Sequence, residues 1–247
     1  MKIIAMIPAR YEASRFSGKL MKDLEGKPVI VRTFEAVLNT KLFGQVYVVT
    51  DDNRIEEAIL NVGGKVIRSK KEHKSGSDRI AEACENLEAD VIVNIQGDEP
   101  FTEKKNLEML LKIFSEDVNN EVSVASLMER LDNPEEVCNP NNVKVVVSKN
   151  GDALYFSRAF IPFPRDEKSE GVYFKHIGIY AYRKEALMQF TQLEESILEK
   201  TEKLEQLRYL ENGFRIRLAE TNISTIGIDT EEDLQKARQL WKKRNHL

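Results

Sequence analysis

Strand-like and helix-like periods alternate through the first hundred residues, and that alternation leaves few architectures open to the chain. Residues 3–7 (IIAMI) read as a buried strand. Pro28 suits the first turn of a helix, and Ile30, Phe34, Val37 and Leu38 follow at helical spacing over 28–40. A second apolar run, 45–50 (QVYVVT), ends at Asp51-Asp52; helical spacing returns over 55–60, and a third short strand follows Gly63-Gly64 at 65–68. Ser75-Gly76-Ser77-Asp78 precedes Ile80, Ala83, Cys84 and Leu87, the pattern of a capped helix. Residues 91–95 are nearly all apolar, as a strand covered on both faces requires. Strands separated by helices pair in parallel through crossovers. The expectation is therefore an α/β fold, a doubly wound, mostly parallel mixed sheet with ligands at the carboxyl ends of its strands.

Two of those carboxyl ends carry chemistry. The stretch IPARYEASRFSGK after the first strand holds Arg10, Arg15 and Lys19, with Ser14, Ser17 and Gly18 between them. Guanidinium groups match the paired oxygens of phosphates, lysine adds a mobile point charge, and glycine lets a backbone approach an anion closely. The loop suits a triphosphate; a solvated basic loop is the plainer alternative. Its glycine spacing fits neither the Walker A motif nor the GxGxxG fingerprint. After residues 91–95, Gln96-Gly97-Asp98-Glu99-Pro100 places acids where magnesium could sit, since that ion needs only one or two carboxylates besides substrate phosphates. A simple turn before proline is the competing reading. The amides of 75–78 suit an anion or a base edge, or serve as an ordinary cap, and His73 reads as a loop histidine.

Beyond residue 105 the alternation breaks. A helix is expected over 106–114, a strand over 121–128 and another over 143–147, with Lys144 either inward or guarding an edge. Asn150-Gly151 then turns a hairpin into 153–156. We read about 130–190 as an insertion with its own hairpin and an oligomer surface. Arg158, Arg165, Lys175 and His176 lie there among Phe160, Phe163, Tyr173 and Phe174, which suits an acidic small molecule or a surface set of ion pairs. In the strand 175–182 (KHIGIYAY), His176, Gly178 and Tyr180 share a face. Leu204, Leu207 and Leu210 form a helix core that leaves Glu205 and Gln206 facing elsewhere, and 215–219 reads as an edge strand. Thr230 with Asp233 caps the last helix and leaves Asp229 free for another task.

Bulk properties remove several functions. A net charge of −4 and a pI near 5.7 argue against duplex nucleic acid, whose affinity rests on phosphate neutralisation. Two cysteines and 3 histidines give neither a disulfide framework nor a zinc spacing. The apolar stretch before Arg10 is too short for a signal-peptide core or a membrane span, so a cytoplasmic location is expected.

Taken in order, IPARYEASRFSGK, SGSDR, NIQGDEP, ALYFSRAFIP, KHIGIYAY, KLEQLR and GIDTEEDL span nearly the whole chain. Together they resemble the 3-deoxy-manno-octulosonate cytidylyltransferase (CMP-Kdo synthetase) family. The resemblance implies a nucleotide-diphosphosugar transferase-like fold, with one nucleotidyltransferase domain over 1–247 and an insertion at about 130–190 for sugar binding and dimerisation. It also implies a homodimer, Mg2+ as cofactor, and transfer of CMP from CTP to 3-deoxy-D-manno-octulosonate (Kdo) for lipopolysaccharide synthesis. By position it assigns Arg10, Arg15, Lys19, Ser75, Gly76, Gln96 and Asp98 to CTP. Asp98 and Asp229 become the metal ligands, and Lys19, Arg10, Asp98 and Asp229 the catalytic set. Arg158, Arg165, His176, Tyr180, Glu205 and Gln206 fall on the sugar side. An 8-amino analogue of Kdo, a sialic acid, and a non-catalytic CTP-binding role are the alternatives.

Overall fold

A computed structural model describes residues 1–12, 16–71, 73, 75–166, 171–223 and 226–245. Its elements in chain order are β1 (Ile3–Pro8), α1 (Val29–Asn39), β2 (Gln45–Thr50), α2 (Asn53–Leu60), β3 (Lys65–Arg68), α3 (Gly76–Cys84) and β4 (Val91–Asn94). There follow α4 (Lys104–Glu116), β5 (Val124–Leu131), α5 (Pro134–Cys138), β6 (Lys144–Val147), β7 (Ala153–Ser157), β8 (Tyr173–Arg183), α6 (Lys184–Phe190), α7 (Ile197–Glu202), α8 (Gln206–Glu211), β9 (Ile216–Thr221) and α9 (Glu231–Asn245). The chain gathers into two compact units: Met1–Lys104 with Thr225–Leu247, and Lys105–Ser224. The segment read as an insertion lies inside the second unit, which also takes in β5 and β9.

In the first unit β1 pairs in parallel with β2 on one side and β4 on the other, and β2 pairs in parallel with β3. Ala5 thus lies between Val46 and Val93. All four residues of β4 are buried, as are Ile4 to Ile7 of β1, which explains why both strands, Asn94 apart, are apolar without alternation. After β1 the chain builds outward through β2 and β3, then returns to the other side of β1 as β4. That reversal opens a crevice beyond the carboxyl ends of β1 and β4, the place where such sheets bind ligands. The expected α/β fold is the fold found.

In the second unit β5 runs antiparallel to β8 and parallel to β9, while β6 runs antiparallel to β7 and β8. Here the boundaries depart from the sequence reading for identifiable reasons. The strand expected from 121 begins at Val124, because the Asp117 carboxylate takes the N–H groups of Glu121 (3.0 Å) and Val122 (2.9 Å) that a ladder would have needed. β8 starts at Tyr173 because β5 continues to Leu131 and offers it a partner. The edge strand β9 is covered in part by the hairpin turn, where the Leu218 N–H donates to Gly151 O at 2.9 Å.

Lys144 lies inward and is 0% exposed. Its ammonium donates to the carbonyls of Asn139 (2.9 Å), Asn142 (2.5 Å) and Arg158 (2.7 Å). It therefore ties the turn before β6 to the chain leaving β7. No helix among the described residues is long and apolar enough to cross a membrane.

Candidate active site

The loop after β1 closes on itself at its foot. Gly18 N–H donates to Tyr11 O at 3.1 Å, and Gly18 sits at φ 66°, where a side chain is strained. A Cβ there would also lie 2.9 Å from the Tyr11 hydroxyl, so the loop needs glycine on both counts. The next residues, Lys19–Met21, form a single 3-10 turn that aims Lys19 back toward the strand ends. After β4 the chain turns at Gly97, where a Cβ would meet Pro8 O at 3.1 Å and Ile30 Cδ1 at 3.1 Å; Thr33 Oγ1 pins this turn by donating to Gly97 O at 2.9 Å. Asp98 is thereby delivered beside the first loop.

Asp229 arrives from the far end of the sequence. The Ile228 N–H donates to Asp98 O at 3.0 Å, joining the two segments. The cap expected at Thr230 is present: Asp233 N–H donates to Thr230 Oγ1 (3.2 Å), and Thr230 N–H to Asp233 Oδ2 (3.0 Å). Asp233 also accepts from Asp229 N–H (3.2 Å), which leaves the Asp229 carboxylate outside the cap.

Both acids meet one cation. Lys19 Nζ donates to the Asp98 carboxylate and, at 2.8 Å, to Asp229 Oδ1. Burial works against the Lys19 charge, but the two carboxylates outweigh it and hold its pKa above the ordinary lysine value. A third acid, Glu99, is half-buried with its Oε2 enclosed; burial first, then the charges of Asp98 and Asp229, pushes its pKa up to about 8. At neutral pH Glu99 is thereby held mostly protonated.

These residues edge a cavity of about 400 Å³ that Arg10, Lys19, Ser75, Gly76, Gln96, Asp98 and Asp229 all line. Seven positions singled out in the sequence thus converge in one unit; Arg15 lies outside the described residues. Ser75 is a true cap, accepting from Asp78 N–H at 3.2 Å, so the capping reading and the cavity-lining reading hold together. Sequence reasoning missed Arg79, which lines the same cavity while its guanidinium donates to Asp51 Oδ2 and Ser69 Oγ, each at 3.0 Å. His73 also lines it, with Nε2 2.8 Å from Glu82 Oε2. The only available signal was the SGSDR motif, which carries Arg79 on the first turn of α3.

The donor set at Asp98 and Asp229 is carboxylate oxygen beside a cavity lined by cations, and one positive charge already satisfies both groups. Those features fit a hard divalent cation with a polyphosphate. Among the described residues no group of three or more histidine, cysteine or acidic side chains could hold a metal, so a softer or all-protein site is not built here.

The six positions expected on the sugar side all lie in the second unit. His176 is buried, with its ring edge-on to Phe156 (5.0 Å) and tilted against Tyr180 (5.3 Å). Tyr180 stacks on Tyr182 at 5.7 Å, and burial, then Tyr182 and Glu205, raise its hydroxyl well above the phenol range. Glu205 is exposed at the start of α8, Gln206 is buried in its first turn, and Arg165 is exposed. Arg158 is engaged within the unit. Its guanidinium donates to the carbonyls of Glu202 (2.8 Å), Pro140 (3.1 Å) and Lys203 (3.5 Å), so it satisfies the end of α7. Sequence reasoning missed Tyr209, whose buried hydroxyl has no hydrogen-bond partner among the described residues and whose ring stacks on Phe190 at 4.3 Å.

Burial lowers the His176 pKa to about 3, so the ring stays neutral in the folded chain. Between pH 6.5 and 3 the unfolded chain takes up a proton there that the folded chain refuses, and stability falls as pH falls through that window. Relative to His176→Gln, the wild-type protein should lose about 2 kcal/mol between pH 7.5 and pH 5, from 1.36 kcal/mol per unit below 6.5. Urea titrations at the two pH values measure it, and parallel losses in both proteins would show that the ring charges freely in the native state.

The comparisons agree with this geometry. A family model described as Cytidylyltransferase matches residues 4–240, and the chain belongs to that family. Its relatives narrow the class. A 3-deoxy-manno-octulosonate cytidylyltransferase from Christiangramia forsetii is 57% identical over 239 residues, covering 97% of this chain and 96% of the relative. One of the same name from Flavobacterium johnsoniae is 58% identical over 243 residues, covering 98% and 99%. Among solved structures, a CMP:2-keto-3-deoxy-manno-octonic acid synthetase complexed with CTP superposes with a TM-score of 0.93 at 42% identity, covering 99% of this chain and 100% of that one.

Proposed function

We propose that the protein transfers CMP from CTP to the anomeric hydroxyl of Kdo, releasing pyrophosphate and giving CMP-Kdo for lipopolysaccharide synthesis. The observation that carries this reading is the meeting of Asp98 and Asp229 on the Lys19 ammonium at the edge of the Arg10-lined cavity. Isolated carboxylates at two distant chain positions would have no reason to share a cation beside a polyanion pocket unless charge must be balanced there.

The sugar hydroxyl attacks the α-phosphorus in line and forms the new P–O bond, its O–H bond breaking as the proton passes to solvent. The bond from the α-phosphorus to the bridging oxygen breaks, and pyrophosphate leaves with its electrons. Arg10 and Lys19 bind the phosphates and stabilise the charge that builds on them, an effect worth about 3 kcal/mol for a well-placed donor. Gln96 and the amides at Ser75 and Gly76 orient the nucleotide. Asp98 and Asp229 would hold Mg2+, which when bound neutralises phosphate charge. No histidine need act as base near these groups.

His176, Tyr180, Glu205, Gln206 and Arg165 are assigned to the acid sugar, Arg165 as the cation free to meet its carboxylate. Arg158 is assigned to the sugar as well, and it also holds the end of α7. A homodimer through the second unit is supported by exposed apolar side chains at Leu154 (63%) and Phe163 (73%). A cytoplasmic location accords with soluble substrates.

A coupled pyrophosphate assay with four nucleoside triphosphates and a panel of Kdo, its 8-amino analogue and a sialic acid tests the reading. Release only with CTP and Kdo, dependent on Mg2+, is the expected result. CTP binding without pyrophosphate release would favour a non-catalytic nucleotide-binding protein, and preference for another acid sugar would move the acceptor.

A further inference from the structure

The bulge in the β5–β8 ladder has a consequence for the sugar side. Pairing passes from Ser126 with Tyr180 to Leu127 with Ile177, so Gly178 and Ile179 are extra on β8. Around that defect Ser126 Oγ, fully buried, lies 3.1 Å from Ile177 O, 3.0 Å from Ile179 O and 2.9 Å from His176 Nε2. A serine hydroxyl has one hydrogen and two lone pairs. Given to the histidine, that hydrogen would leave two carbonyl oxygens facing the bare lone pairs of Oγ at close range in a buried site, with nothing to offset the repulsion. The hydrogen therefore goes to a bulge carbonyl, and Oγ presents a lone pair to the ring, whose Nε2 must then carry a hydrogen to donate.

We infer that Ser126 is a positioning residue that fixes His176 as the Nε2–H tautomer, leaving Nδ1 as a hydrogen-bond acceptor that reads a hydroxyl of the acid sugar and not its carboxylate. The packing of Phe156 and Tyr180 on the imidazole holds the ring plane, so the tautomer also fixes where the acceptor lies. Among the described residues no hydrogen bond to Nδ1 is present, and the His176 side chain keeps a margin of exposure, 9%. The low basicity that burial imposes on the ring works in the same direction, because a neutral ring with a free lone pair attracts a hydroxyl donor and repels a carboxylate. The carboxylate of the sugar is left to a cation, and Arg165 is the exposed one. Ser126 touches no substrate; it acts through the ring.

The sugar assignment rests on the proposed function, but the tautomer does not, and the test separates them. Two-bond 1H–15N spectra of the 15N-labelled full-length protein at pH 7 report the protonated nitrogen of each of its 3 histidines. The signal that disappears in His176→Gln identifies His176. The wild type is expected to show hydrogen on Nε2 alone. Ser126→Ala should lose the single tautomer and raise the KM for Kdo about tenfold, the cost of one misdirected buried hydrogen bond, with the KM for CTP unchanged. Ser126→Thr keeps the hydroxyl and should restore both. A wild-type spectrum with hydrogen on Nδ1, or a Ser126→Ala protein that keeps the Nε2–H form, overturns the inference. If Ser126→Ala fails to fold, the wild-type and Ser126→Thr spectra still decide it: both must carry Nε2–H. Absence of turnover with Kdo in the wild type overturns the sugar assignment alone.

Discussion

Asp98→Asn is expected to lower pyrophosphate release by at least about a thousandfold while the protein stays folded. The magnitude follows from the role proposed for the carboxylate, one of two negative groups on a cation at the edge of the proposed phosphate pocket, since charge stabilisation in such sites is worth factors of about 10²–10³ per well-aimed group and loss of a metal ligand would add to it. The fold should survive because the side chain contributes little to it. Its hydrogen bond runs to Lys19, whereas the contact that joins the chain segments uses its backbone carbonyl, which accepts from Ile228 N–H. Circular dichroism and the thermal midpoint should match the wild type, and CTP should still bind, because Arg10, Gln96 and the start of α3 are untouched. Magnesium-dependent turnover at close to the wild-type rate would mean that the acid is a turn residue and nothing more.

The second large effect is structural. Lys144→Met should destabilise the second unit by about 3 kcal/mol, since it leaves three part-buried carbonyls without their donor at about 1 kcal/mol or more each, partly offset because a buried charge is also removed. For a chain of this size that corresponds to a fall of about 6–12 °C in the thermal midpoint. Because the Arg158 carbonyl is one of the three, the chain leaving β7 should loosen with it, and amide exchange there should quicken. The cavity residues all belong to the other unit, so CTP affinity should change little. An unchanged midpoint would show that the three carbonyls find other donors.

These cases also mark what was legible in the sequence. β2 and β3 fall on the expected residues because a short run of strand formers bounded by turn residues determines a strand locally. The Arg10 loop, Asp98 and Asp229 were readable as chemistry, because cations and acids at strand ends have few structural reasons to be there. Their convergence was legible only through the family resemblance: nothing in residues 225–235 alone says that Asp229 returns to Lys19. The second unit was read less well. A lysine in an otherwise apolar strand looks the same whether it guards an edge or binds carbonyls inside, and only the turns at 139–142 and 158 decide it. Arg158 illustrates the same limit, since a guanidinium suited to a sugar acid suits a helix end equally. The β8 bulge left no mark in KHIGIYAY beyond Gly178, yet it creates the carbonyls around Ser126.

We propose that Asp98 and Asp229 share one divalent ion when nucleotide is bound. Anomalous diffraction from crystals grown with CTP and Mn2+ measures that directly. The result expected is a manganese peak in contact with both carboxylates, with Lys19 on the nucleotide. A peak held by neither aspartate, with both still tied to Lys19, would contradict it.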